Sequence, residues 1–285
     1  MKSAAFDYHA PRAMDDALAL LARHAEDGRV LAGGQSLVPA MAYRMARPAV
    51  LVDINRIAGL DHATVADDWL RIGALARHAR FETPIVPGPL GVLLADVARH
   101  IAHAPIRQRG TFCGSLAHAD PASEWCATVL ALGGEMIVRG AGGERRVAAR
   151  DWFQGVFTTA LRPGEMLVET RVPQLGADWR CGFAEMSRRA GDFALALAVV
   201  ALRMDGARIA EARVALGGIA GTPVLAEDAA RLLTGETPDA RLYAAVADTA
   251  AQGSEPHDDI HADAAYRRDL VRVVVRRALL KASPP

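Results

Sequence analysis

The feature that most constrains the fold is a buried strand that runs directly into two glycines and then into a helix. Residues Arg29–Ala32 are strand-like, Gly33 and Gly34 follow, and a helix-like segment begins at Leu37. Glycine allows a positive φ and lets the backbone come close to a ligand. The free N–H groups at the start of a helix favour anions. The segment therefore predicts a phosphate cradle, with a tight turn that holds no ligand as the alternative.

A second loop, Arg109–Pro121, has the same character. Small and hydroxylated residues gather at a turn, and a helix is predicted from Ser123 onward. One such loop suits a single phosphate, whereas two of them suit a pyrophosphate held from both sides. The pattern differs from a Rossmann fingerprint, because no GxGxxG follows the first strand, and from a Walker loop, because Gly-Lys-Ser/Thr is absent.

The first part of the chain alternates helix and strand. A helix over Met14–Ala25, the strand at 29–32, a helix over Leu37–Ala46 and a strand over Val50–Ile54 predict a small α/β unit. Strands and helices are mixed further along. The predicted strands are Trp69–Leu75, Glu135–Arg139, Glu144–Val147 and Met166–Val172, and the predicted helices are Leu90–Ala102 and Ser123–Leu132.

The last third of the chain predicts a different architecture. Two apolar runs, Ala194–Met204 and Ala207–Gly217, are joined by Asp205-Gly206, a strong hairpin signal. Helices follow and end with Asp263–Lys281. The predicted fold class is α+β, with a two-subdomain unit (a small α/β unit plus a mixed sheet) followed by an antiparallel sheet with a C-terminal helical bundle. The expected boundaries are 1–176, with subdomains of about 1–57 and 58–176, and 177–285.

Composition argues against several classes of function. The 33 basic residues balance 33 acidic ones, which argues against a nucleic-acid or membrane-surface protein. The cysteines Cys113, Cys126 and Cys181 form neither a disulfide framework nor a CxxC metal pair. No apolar stretch has the length of a membrane span, and the N-terminus lacks the pattern of a signal peptide, so a cytoplasmic protein is expected.

Metal and nucleophile chemistry are not predicted. The histidine pairs at positions 100/103 and 257/261 have helical spacing, but no further ligand follows at a suitable distance in the sequence. Neither Ser36 nor Ser115 lies in a GxSxG elbow. We therefore expect no metal site and no serine nucleophile in this chain.

Both loops resemble the FAD motifs of a known family. The stretches Ala32–Leu37 and Thr111–Pro121 are similar to those of the medium, flavin-carrying subunit of molybdenum hydroxylases. That family includes aerobic carbon-monoxide dehydrogenase, nicotine and caffeine dehydrogenases, and the middle portion of xanthine dehydrogenase. The similarity spans nearly the whole chain, in order. The further similar segments are Leu51–Ile57, Ile106–Gly110, Ser187–Ala194 and Ala265–Arg268.

The resemblance implies FAD as the cofactor and assigns contacts to it. The first loop should wrap the pyrophosphate, and the second should close on it from the other side. Glu124 should reach the FAD, and Ile101 and Leu167 should pack against it. The full set of implied cofactor residues is Leu31, Ala32, Gly33, Gly34, Gln35, Ser36, Leu37, Ile101, Thr111, Gly114, Ser115, Asp120, Glu124 and Leu167.

The second motif departs from the family pattern at one position. The family reads Thr-Ile-Gly-Gly where this chain reads Thr111-Phe112-Cys113-Gly114. A cysteine in place of a glycine that needs a positive φ would cost about 1 kcal/mol or more. We therefore expect an ordinary φ at Cys113, strain at Gly114, and a packing role for the thiol.

The resemblance also implies an assembly and a reaction. A large subunit with molybdopterin oxidises the substrate, a small subunit with [2Fe–2S] clusters passes single electrons, and the FAD of this chain passes them to a terminal acceptor. Heterotrimers of this kind are expected to pair into a dimer. Two alternatives stay open: a self-sufficient FAD-dependent oxidoreductase of the same fold, and an assembly scaffold without FAD.

Overall fold

The computed structural model describes residues 2–283. Its first unit is a three-stranded parallel sheet of order β1-β3-β2. The elements are β1 (Asp7–His9), α1 (Met14–Arg23), β2 (Gly28–Leu31), α2 (Leu37–Ala42) and β3 (Val50–Asp53). Helix α2 is shorter than the sequence predicted, because Arg44 takes a positive φ of 59° that no helix continues through.

The second unit is a five-stranded sheet of order β4-β5-β10-β6-β7. Its strands are β4 (Ala63–Ala66), β5 (Trp69–Gly73), β6 (Glu135–Gly140), β7 (Gly143–Ala148) and β10 (Met166–Pro173). All four neighbouring pairs are antiparallel, whereas the sequence led us to expect a mixed sheet. Two of the pairs, β4–β5 and β6–β7, are hairpins, which impose antiparallel pairing. In the other two, β10 runs antiparallel to both β5 and β6.

Helices and one small hairpin surround this second sheet. The helices are α3 (Gly88–His100), α4 (Ala104–Arg107), α5 (Phe112–His118), α6 (Glu124–Leu132) and α7 (Ala149–Trp152), and the hairpin is β8 (Phe153–Gly155) with β9 (Thr158–Thr159). None of the helices in residues 2–283 combines the length and the apolarity that a membrane crossing requires.

The third unit is a four-stranded antiparallel sheet of order β11-β12-β13-β14, followed by three helices. The elements are β11 (Trp179–Ser187), β12 (Ala194–Asp205), β13 (Arg208–Gly217), β14 (Val224–Leu225), α8 (Glu227–Leu233), α9 (Ala240–Gln252) and α10 (Ala264–Lys281). The predicted hairpin and the α+β class are confirmed.

Strand β12 is buried on both faces, which explains its continuous apolar sequence. Leu197 and Val199 belong to the core that includes the first two sheets, whereas Ala198 and Val200 belong to a second core with α9 and α10. The third sheet is therefore a wall between the two cores. One of its faces packs against α6 and the core of the first two units.

A buried cation anchors helix α10 to the third sheet. Arg267 is 3% exposed. Its Nη1 donates hydrogen bonds to the carbonyl oxygens of Leu195 and Gly218, both at 2.7 Å, and its Nη2 forms an ion pair with Asp259 at 2.7 Å. A buried charge is stable only when it is paired and hydrogen-bonded, so Arg267 holds the helix and two strand ends in one arrangement.

Replacing Arg267 should therefore destabilise the chain strongly. We expect Arg267→Ala to lower the free energy of unfolding by about 3 kcal/mol, because two carbonyl groups and one carboxylate lose their donor. Arg276→Ala, on an exposed face of the same helix, is the matched control and should change it by less than about 0.5 kcal/mol. Urea unfolding of the full chain measures both, and equal midpoints for the two variants would contradict the anchoring role.

Candidate functional site

The first glycine loop (Ala32–Leu37) leaves the end of β2 and enters α2. Gly34 has a φ of 72°, a conformation that glycine adopts at little cost. A Cβ atom at Gly33 would lie 2.5 Å from the carbonyl oxygen of Arg109 and 2.7 Å from the Cα atom of Gly110. The first glycine loop therefore touches the second glycine loop (Arg109–Ser115), and only a residue without a side chain allows this approach.

The backbone N–H groups of the first glycine loop indicate an anion-binding site. Those of Gly33–Leu37 have no hydrogen-bond acceptor within residues 2–283. A run of consecutive unpaired amides at a turn forms an anion-binding concavity. Since α2 has only 6 residues, its dipole adds little, and the amides themselves supply the attraction. The predicted cradle thus has the donors that phosphate oxygens require.

The second glycine loop begins helix α5 and is shaped by its cap. The Oγ1 atom of Thr111 accepts a hydrogen bond from the Gly114 N–H at 3.0 Å, and a Cβ at Gly114 would lie 2.5 Å from that Oγ1. The cap therefore needs glycine for space. The φ of Gly114 is not positive, so our prediction of backbone strain at this residue is wrong. The N–H groups of Thr111 and Cys113 also lack an acceptor in the part of the chain that the structure describes.

The side chain of Cys113 points into the core and not toward the loops. It is 2% exposed, and its Sγ lies 3.4 Å from the carbonyl oxygen of Ile72 and 3.3 Å from the Oγ1 of Thr170. Burial raises the pKa of the thiol to about 12, so the thiol stays protonated and unreactive at neutral pH. The φ of Cys113 is not positive, and both the ordinary φ and the packing role agree with the sequence prediction.

Asp120 and Glu124 lie at the turn between α5 and α6. The Oδ1 of Asp120 accepts from the Ala122 N–H at 2.9 Å, and its carbonyl oxygen accepts from the Ser123 N–H at 2.9 Å, so this residue shapes the turn. Glu124 is the first residue of α6 and is 7% exposed. Burial raises the pKa of Glu124 to about 7, with the charge of Asp120 as a smaller cause. Near neutral pH this carboxyl can therefore donate or accept a hydrogen bond.

The remaining predicted residues are spread more widely. Leu31 ends β2, the side chain of Gln35 donates to the Gly33 carbonyl oxygen at 3.0 Å, and Ser115 lies half-buried in α5. Ile101 follows α3 and Leu167 lies on β10; both are buried in the first core. The structure brings the two glycine loops together, whereas Ile101 and Leu167 share no hydrogen bond with either loop within residues 2–283.

The sequence patterns missed the residue that supports the second glycine loop. His78 is 4% exposed, and its Nδ1 accepts a hydrogen bond from the Nε1 of Trp125 at 3.0 Å. Burial, and after it the charges of Arg107 and Arg77, lowers the pKa of His78 to about 4, so the ring is neutral and carries its proton on Nε2. A Cβ at Gly110 would lie 2.7 Å from this ring. No local pattern signals the pair, because 47 residues separate its members.

A half-buried acid from the third sheet faces the same core as α6. Glu185 on β11 pairs with Leu197, which belongs to the core shared with the first two sheets. Its Oε2 is buried and has no hydrogen-bond partner within residues 2–283. Burial, followed by the charge of Glu124, raises the pKa of Glu185 to about 8. Since two neighbouring carboxylates that are largely removed from water repel, the pair Glu124 and Glu185 retains protons near neutral pH.

Comparison with known proteins identifies the class of protein. The family model described as "FAD binding domain in molybdopterin dehydrogenase" matches residues 4–175, and the one described as "CO dehydrogenase flavoprotein C-terminal domain" matches residues 182–282. The chain therefore belongs to the FAD-binding subunits of the molybdopterin dehydrogenases, which are oxidoreductases. The predicted family and its cofactor, FAD, are confirmed.

Individual relatives are similar to this chain over nearly its whole length. The alpha subunit of the 6-hydroxypseudooxynicotine dehydrogenase complex of Paenarthrobacter nicotinovorans is 39% identical, over 99% of this chain and 96% of the relative. The nicotine 6-hydroxylase medium subunit of the same organism is 37% identical, over 99% of both. A solved carbon monoxide dehydrogenase of Hydrogenophaga pseudoflava, which lacks the Mo-pyranopterin moiety of its molybdenum cofactor, superposes with a TM-score of 0.95 at 36% identity, over 99% of this chain and 98% of that one.

The acid pair at the site should make stability fall as pH rises from about 6.5 to 8. In the folded chain Glu124 and Glu185 keep their protons up to pKa values of about 7 and about 8, whereas the ordinary value is 4.5. The folded state then binds more protons than the unfolded state, so raising the pH favours unfolding. His78 has the opposite effect, but only below its ordinary pKa of 6.5. We expect the free energy of unfolding to fall by on the order of 1 kcal/mol between pH 6.5 and 8. Urea unfolding of the flavin-free chain at several pH values measures this change.

Two variants test the assignment of this pH dependence. Glu185→Gln should flatten the fall, because it removes one of the two titrating carboxyls. Glu227→Gln, at an exposed position in α8, should leave it unchanged. An undiminished fall in the Glu185 variant would show that other groups cause the pH dependence.

Proposed function

We propose that this chain binds one FAD with the diphosphate on the two glycine loops. The observation that carries the proposal is the row of backbone N–H groups at Gly33–Leu37. They have no acceptor within residues 2–283, and they lie where the two loops touch. The residues proposed to hold the cofactor are Leu31, Ala32, Gly33, Gly34, Gln35, Ser36, Leu37, Ile101, Thr111, Gly114, Ser115, Asp120, Glu124 and Leu167.

Different residues of this set would bind and orient different parts of FAD. The first glycine loop and the amides of Thr111 and Cys113 supply donors to the diphosphate. The carboxyl of Glu124 can hold or accept a proton at a cofactor hydroxyl. The buried side chains Ile101 and Leu167 offer an apolar surface that excludes water from the ring system. We nominate no catalytic acid or base in this chain.

The flavin, when bound, exchanges one electron at a time or two together, which suits it to join single-electron donors to a two-electron acceptor. We propose that the electrons come from a small subunit with [2Fe–2S] clusters, and that a large subunit with molybdopterin oxidises the substrate. A dimer of such heterotrimers in the cytoplasm is the proposed assembly. Support comes from the relatives, two of which are named as a complex subunit and a medium subunit.

We also propose a division of the chain into an FAD-binding domain, residues 1–176, with subdomains of about 1–57 and 58–176, and a C-terminal domain, residues 177–285. The parallel sheet ends with β3 at Asp53, the five-stranded sheet ends with β10 at Pro173, and β11 begins at Trp179. The proposed limits therefore fall in connections between sheets.

The cofactor is tested on the purified full chain. We expect a flavin absorbance spectrum, and we expect that heating releases a chromophore that mass spectrometry identifies as FAD. A colourless chain that takes up no added FAD would contradict the proposal.

The electron route is tested in the purified complex by rapid mixing. Reduced clusters should reoxidise at the rate at which the flavin is reduced, and reoxidation at an unchanged rate in a flavin-depleted complex would contradict the route.

The contact between the loops should make FAD binding sensitive to one added carbon atom. Gly33→Ala places a Cβ against the backbone of Arg109 and Gly110, so the loops must separate, and we expect FAD affinity to fall at least about tenfold. The matched control is Gly142→Ala, where a Cβ meets nothing within 4 Å. The flavin-to-protein ratio after gel filtration, with circular dichroism to verify folding, distinguishes them. Full FAD occupancy in Gly33→Ala would rule out this cradle.

A further inference from the structure

The backbone of Arg77 joins the second glycine loop to the five-stranded sheet. Arg77 follows β5 and forms an isolated antiparallel bridge with Thr111. On either side of that bridge, the His78 N–H donates to the Gly110 carbonyl oxygen at 3.0 Å and the Phe112 N–H donates to the Ala76 carbonyl oxygen at 2.9 Å. One antiparallel bridge therefore holds the second glycine loop to the segment that follows β5.

The side chain of Arg77 reaches both glycine loops. Its Nη1 donates to the carbonyl oxygen of Arg109, and its Nη2 donates to the Oδ1 of Asn55 at 2.5 Å. The Nδ2 of Asn55 donates in turn to the carbonyl oxygen of Ala32 at 2.8 Å. One guanidinium thus connects the start of the first loop, through Asn55, to the start of the second.

The charge of Arg77 is not balanced by an ion pair. Within residues 2–283, neither Arg77 nor Arg109 forms a salt bridge with a carboxylate, and the acceptors of Arg77 are a neutral amide and a peptide carbonyl. Asp53 is near and its charge partly offsets the fall in the pKa of Arg77, but its oxygens accept hydrogen bonds from Tyr8 and Asn55 and form no ion pair with Arg77. Burial, and after it the charge of Arg109, lowers the pKa of Arg77. A half-buried cation without a direct ion pair, beside backbone amides that have no acceptor within residues 2–283, favours an anion at that place.

We propose that Arg77 is a positioning residue for FAD, which sets the spacing of the two glycine loops and supplies the positive charge that the diphosphate neutralises. This inference rests on the proposed function, since it assumes that the loops hold FAD. It predicts that the fork of the guanidinium and its charge make separate contributions to affinity. Lysine retains the charge but is a single point donor without the planar fork.

The test measures the dissociation constants of FAD and of ADP for the full chain over a range of salt concentrations. Arg77→Gln should weaken both ligands by at least about tenfold, by similar factors, because both carry the diphosphate. The slope of log Kd against log salt should become shallower. Arg77→Lys should keep the wild-type slope and show an intermediate loss. The matched control is Arg80→Gln, whose guanidinium donates to the carbonyl oxygens of Asp61 and Ala63, away from the loops, and it should bind like wild type.

Three results would overturn the inference. One is an FAD affinity of Arg77→Gln within twofold of wild type; another is a loss with an unchanged salt slope, which a purely structural role would give. If Arg77→Gln does not fold, Arg77→Lys is the variant that tests the inference. The third contradicting result would be wild-type FAD affinity in Arg77→Lys. Failure of the wild-type chain to bind FAD or ADP would instead contradict the proposed function itself.

Discussion

The candidate site depends on one close backbone contact, the approach of Gly33 to Arg109 and Gly110. The first loop is the end of a parallel strand, and the second is tied to an antiparallel sheet. At this contact, loops from two different sheets bring together N–H groups that have no acceptor in the described part of the chain. A side chain at Gly33 would separate the loops and disperse the donors. Glycine is thus required here for proximity, and its free rotation matters mainly at Gly34, where φ is positive.

The third sheet holds α6, the helix that follows the second glycine loop and its helix α5. The N–H of Gly218 donates to the Pro121 carbonyl oxygen at 2.8 Å, and the Nη1 of Arg213 donates to the Leu132 carbonyl oxygen at 2.9 Å. These bonds fix the two ends of the segment that carries α6 against the third sheet. Arg267 in turn orders that sheet by binding strand ends to α10. The position of Glu124 relative to Glu185 is therefore set by these two hydrogen bonds, one of them donated by the Arg213 cation, and by the buried cation Arg267.

Much of the fold was accessible from the sequence, because its signals are local. The strand–glycine–glycine–helix pattern at 29–37, the Asp205-Gly206 hairpin and the amphipathic helices all predicted elements that the structure contains. Strand β1 was missed because three residues carry too little pattern, and α5 because a glycine inside it resembles a loop. Gly114 shows the same limit: the sequence signals that glycine is needed, but only the structure shows that the reason is the Oγ1 of Thr111 and not φ. His78 with Trp125, and Arg77 with Asn55, are tertiary contacts that a single sequence does not reveal.

The most direct test of the account is amide hydrogen exchange of the full chain with and without FAD, followed residue by residue. If the free N–H groups of the loops hold the diphosphate, exchange at Gly33–Leu37, Thr111 and Cys113 should slow strongly when FAD binds. The distant hairpin turn at Asp205-Gly206 should not change. Bound FAD with unchanged exchange in both glycine loops would contradict the account, and would place the diphosphate elsewhere on the chain.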